Sequence, residues 1–107
     1  MPYNQELDDR ISARIADWAT IRKKMFGGTC YLLNGNMMCG VYKDYLILRL
    51  GEQEGMAALK KPPVKPFDIT GKPMKGWIMV EQAGLTDEAL EEWLLKARYF
   101  AETLPPK

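Results

Sequence analysis

Between Lys24 and Leu50 the sequence alternates apolar runs with turn residues: MFGGTCYLL, NGN, MMCGVYK, DYLILRL. Of all its features this stretch most narrows the folds open to the chain, because Tyr, Leu, Ile and Val in short runs between turn residues make strands that pair in sequence as an antiparallel meander. Asn34-Gly35 is the favoured two-residue hairpin turn, since type I′ needs positive φ at both central positions. Lys43-Asp44 marks the next reversal. Gly27-Gly28, inside the first run, predicts a bulge or the close approach of another backbone.

Helical periods flank this region. NQELDDRISARIADWA puts Leu7, Ile11, Ile15 and Trp18 on one stripe with Asp8, Arg10, Arg14 and Asp17 off it. That spacing predicts an amphipathic helix capped by Asn4 and ending near Thr20. After Gly51, EQEGMAALKK makes a short helix stopped by Pro62-Pro63, and FDIT and GWIMVEQ read as two more strands joined by Gly71-Lys72-Pro73. In TDEALEEWLLKARYFAETL the apolar residues Leu90, Trp93, Leu94, Ala97, Phe100, Ala101 and Leu104 recur at helical spacing, with Thr86 as cap and Pro105-Pro106 as stop. The order α-β-β-β-α-β-β-α, without βαβ repetition, predicts an α+β fold of two layers, a mainly antiparallel sheet with helices on one face. The 107 residues suffice for one domain, spanning 1–107.

Charge and residue usage exclude several function classes. Fifteen basic and fourteen acidic side chains leave a formal charge of +1, and no helix carries a basic stripe, so direct DNA binding is not expected. No apolar run approaches the roughly 18 residues of a membrane span, and the N-terminus lacks the pattern of a signal peptide, so no membrane contact and a cytoplasmic location are expected. Histidine is absent, which removes the commonest general base and the commonest metal ligand together. The glycines match neither a phosphate-binding loop nor a dinucleotide fingerprint. No cofactor or metal is expected.

Both cysteines, Cys30 and Cys39, flank the Asn34-Gly35 turn. An unbroken register would pair Leu33 with Asn36, Leu32 with Met37, Tyr31 with Met38 and Cys30 with Cys39, at a non-hydrogen-bonded site where Cα atoms lie about 4.5 Å apart. That spacing is at the short end of what a disulfide accepts. Two readings follow: a redox pair set by hairpin register, or two packing thiols.

KKMFGGTCYLLNGNMMCGVYKDYLILRL and PFDITGKPMKGWIMV resemble the N-terminal domain of the TfoX/Sxy family, bacterial regulators of competence for DNA uptake. The resemblance covers most of the chain. It rests on Met25-Phe26-Gly27-Gly28, the Asn34-Gly35-Asn36-Met37 turn, Leu48-Arg49-Leu50, and Phe67-Asp68 with Gly71, Pro73, Met74, Lys75, Gly76 and Trp77. It implies the same element order, in a fold that looks like that of bacterial secretion chaperones. It also implies no enzyme activity and a cytoplasmic regulatory or protein-interaction role, with a protein partner or a second copy of the chain. Arg49, Asp68, Lys72 and Lys75, polar residues near strand ends and turns, form the candidate interaction surface; the structural reading gives Phe67 and Trp77 to the core. The alternative function is a small-ligand or anion-binding domain using the basic loop 60–75, with Lys60, Lys61, Lys65, Lys72 and Lys75.

Overall fold

The computed structural model describes residues 5–25, 28–61, 64–67, 76–82 and 85–105. Leu7 and Ile11, one turn apart on helix α1 (Gln5–Arg14), are fully buried, so the amphipathic stripe does what its spacing predicts. The helix stops earlier than Thr20. Ile15 to Trp18 form a turn in which the Trp18 N–H donates to the Ile15 carbonyl at 2.9 Å, and Ala19 follows at φ 56, which no right-handed helix can contain. Ile15 and Trp18 still pack on the core because the turn continues the stripe in space. Asn4, the expected cap, lies outside the described residues.

Six strands follow: β1 (Ile21–Met25), β2 (Gly28–Leu33), β3 (Asn36–Tyr42), β4 (Tyr45–Arg49), β5 (Val64–Pro66) and β6 (Trp77–Glu81). They form one sheet in the order β1-β2-β3-β4-β6-β5, every neighbouring pair antiparallel. With α2 (Glu52–Ala58) between β4 and β5 and α3 (Asp87–Glu102) at the end, the α+β order expected from the sequence holds, with one strand more. That strand is β1. Its sequence, IRKKM, carries no apolar alternation because Ile21, Arg22, Lys23 and Lys24 are all exposed at the sheet edge. The close approach expected at Gly28 is real and is made by β3, for a Cβ there would overlap the Val41 carbonyl. The strand expected over FDIT is displaced upstream: β5 ends at Pro66, whose missing N–H an edge strand tolerates, and Asp68 to Thr70 lie outside the described residues.

The hairpin turn is as expected, with Asn34 and Gly35 at φ 54 and 83. The register beyond it is not. Leu33 pairs with Asn36 and Leu32 with Met37, but Tyr31 then pairs with Cys39, so Met38 is an extra residue in β3, a bulge. Cys30 therefore faces Gly40, not Cys39. Side chains alternate across a strand, so the two cysteines, both free and buried, point to opposite faces of the sheet, and the facing pair that an unbroken register would give is absent.

Alternation also sorts the core. Leu46, Leu48, Ile78 and Val80 point to the face covered by the helices, where Leu7, Ile11, Leu90 and Leu94 meet them. Ile47, Phe67 and Met79 are buried on the opposite face with half-buried Met37, Tyr42, Tyr45 and Trp77 packed around them. Each fully buried aliphatic side chain contributes roughly 1.5–3 kcal/mol by leaving water. The Thr86 hydroxyl caps α3 by accepting the Ala89 N–H at 3.1 Å, as expected from the sequence.

Candidate functional site

Arg49 is the last residue of β4, where it pairs across the sheet with Trp77 of β6. Its guanidinium lies 5.3 Å from the centre of the Trp77 ring and 5.7 Å from that of Phe100 on α3. Trp77 in turn packs on Phe67 with ring centres 5.8 Å apart. Such stacking holds a guanidinium plane in place while its edge N–H groups stay free to donate. Arg49 is half-buried and forms no ion pair among the described residues. Asp68, Lys72 and Lys75, the other members of the expected interaction surface, lie outside the described residues.

Three glycines position the neighbouring helix. The Leu50 N–H donates to the Gly76 carbonyl at 2.8 Å, and Gly51 and Gly76 take φ 88 and 84, a region that side-chain-bearing residues rarely enter. A Cβ on Gly76 would sit 2.9 Å from the Gly51 carbonyl carbon, and one on Gly55 3.0 Å from the Gly76 Cα. The start of α2 is thereby pressed against the start of β6, with Gly51 against the Phe100 ring. Between α2 and the C-terminal half of α3 this leaves an open groove of about 450 Å³. Leu50 and Phe100 give it an apolar lining; Glu52 and Glu54 reach it from α2, and Lys96 and Tyr99 from α3.

Of the described lysines of the basic loop, Lys61 and Lys65 are engaged. Lys61 lies over the Trp93 ring at 4.9 Å, and Lys65 pairs with Glu81 at 2.9 Å and donates to the Tyr45 hydroxyl at 3.4 Å. Both partners hold the Lys65 ammonium charged, the hydrogen bond to Glu81 most of all.

A buried polar network escaped the sequence reading. Asp8 of α1 is only 1% exposed; the Arg22 Nη2 of β1 donates to its Oδ2 at 2.7 Å and the Tyr31 hydroxyl of β2 donates to its Oδ1. Ser12 completes the set, 2.6 Å from the Tyr31 oxygen. Burial, and then the Asp8 hydrogen bond, push the Tyr31 phenol up to about 12, while the hydrogen bond to Asp8 raises the Arg22 guanidinium further above its ordinary range. The helical spacing puts Asp8 off the apolar stripe, yet it lies three residues before Ile11 and so on the flank of that stripe. That adjacency, with an arginine on the next element, was the available signal.

Burial pushes the Cys30 thiol up to about 11 and raises Cys39 further, the latter also through Cys30 and Asp8 nearby. At neutral pH both are thiols, not nucleophilic thiolates. Among the described residues no three His, Cys, Asp or Glu side chains come together as metal ligands would. No described helix is long and apolar enough to cross a membrane. A family model described as the TfoX N-terminal domain matches residues 14–101. No curated protein and no solved structure matches the chain.

Proposed function

The chain belongs to the TfoX N-terminal domain family, and from that premise we propose that it is a non-enzymatic regulatory module that acts in the cytoplasm by binding another protein. The family match over residues 14–101 carries the reading. The site chemistry supports it. The two thiols are buried and held protonated, and Arg49 is stacked for recognition between two rings. Of the loop lysines that an anion site would use, Lys61 lies over Trp93 and Lys65 is taken by Glu81 and Tyr45.

Affinity capture from a lysate of the native organism, read by mass spectrometry, tests the proposal. A reproducible protein partner, lost when the chain is unfolded before capture, is the expected result. An empty capture, with thermal stabilisation of the chain by a phosphorylated metabolite, would replace the reading with a ligand-binding one.

A further inference from the structure

Exposed apolar side chains are concentrated on two elements of this molecule, α2 and α3. Among the described residues the large hydrophobic side chains that face solvent are Ile21, Met56, Leu59, Leu95 and Tyr99, and all but Ile21 lie on α2 and α3 or at the end of α2. Tyr99, 76% exposed, lines the groove beside Phe100, and Leu95 stands one turn before it on the same face of α3. Met56 follows Glu52 by one turn along α2. An exposed Tyr over an apolar floor is the arrangement from which interfaces draw most of their binding energy.

Along their length the two helices are acidic, with Asp87 at the start of α3 pairing with Arg10 and Arg14. In a chain of net charge +1, α2 and α3 carry seven carboxylates and two basic residues. Both basic residues are engaged: Lys96 lies over Trp93 at 5.2 Å, and Arg98 lies over Trp18 at 4.8 Å and pairs with Glu102. Glu52 and Glu54 border the groove itself, whose volume falls within the roughly 300–1,000 Å³ of ligand-holding sites.

We propose that the groove between α2 and α3 docks a basic amphipathic segment of a partner protein. An apolar anchor seats against Leu50, Tyr99 and Phe100, and a flanking lysine or arginine side chain faces Glu54. This deepens the interaction reading above, on which it rests, by giving the partner its chemistry. Carboxylates at the groove disfavour nucleic acid, anionic lipid and phosphorylated metabolites there. A second copy of the chain offers its basic edge β1, but that edge, IRKKM, is a strand without the helical apolar stripe that the groove would hold.

The test titrates the isotope-labelled chain with a synthetic helical peptide bearing leucines at helical spacing and lysines on its flanks. Controls are a scrambled peptide of the same composition and one with glutamates in place of lysines. The first peptide alone should move the amide signals of Leu50, Gly51, Tyr99 and Thr103. Tyr99→Ala, a change at an exposed position, should weaken binding by about tenfold, and Glu54→Lys should weaken it and reduce its salt dependence. No binding, signals moving elsewhere, or equal affinity in Tyr99→Ala overturns the proposal. Capture from lysate with wild type and Tyr99→Ala in parallel separates the two claims. A partner held equally by both removes the groove and leaves the interaction reading standing, whereas a partner lost by the variant supports both.

Discussion

Asp8 is a charged residue that the fold cannot easily give up. It is buried, it receives two donors from two different strands, and it ties α1 to β1 and β2. Asp8→Ala should cost about 3 kcal/mol, at the lower end for breaking a buried pair because Arg22, 44% exposed, can be rehydrated. Tyr31→Phe leaves the ion pair intact and should cost about 1–2 kcal/mol; urea unfolding checks both. Three buried acids set the alkaline limit of stability. Tyr31 rises from 10 to about 12 and Cys30 from 9 to about 11, and Cys39 rises as well. The folded chain therefore keeps protons that the unfolded chain has already released, so stability is full below about pH 9 and falls as pH climbs toward 12. The fall is about 1.4 kcal/mol per pH unit for each such group, and Cys30→Ala should flatten it, as unfolding midpoints measured across that range would show.

At the level of elements, two features of the β2–β3 hairpin have different origins. The turn is local chemistry, Asn34-Gly35 accepting positive φ, and was legible; the bulge at Met38 is a tertiary event and was not. Met38 joins the helix-face cluster alongside Cys39, two consecutive buried residues that strict alternation could not supply. The bulge separates the thiols. In native protein neither should react with a thiol reagent nor form a Cys30–Cys39 bond under mild oxidation, and two groups should titrate after unfolding; a native disulfide found by mass spectrometry would contradict the register. The junction of Gly51, Gly55 and Gly76 makes a second demand. Gly76→Ala adds a Cβ 2.9 Å from the Gly51 carbonyl carbon at φ 84 and should cost at least about 2 kcal/mol, loosening α2 before the sheet. Hydrogen exchange of the α2 amides would show it.

Across the whole molecule the legible part was what repeats: the helical stripes of α1 and α3, the short runs of the meander and the family pattern lying within residues 14–101. Strand β1 was hidden because an exposed edge of Arg and Lys has no apolar period, and β5 because its Pro66 reads as a loop. The groove was hidden for another reason: α2 and α3 lie far apart in sequence, and only the glycine junction brings their ends together. A polarised molecule results, with basic β1 at one sheet edge and an acidic surface with an aromatic groove on α2 and α3. Hydrogen–deuterium exchange of the chain alone and with the protein partner recovered by capture should show slowed exchange over residues 50–59 and 95–103, with β1 unchanged. Protection confined to Ile21–Met25, or none on α2 and α3, would rule out docking in the groove.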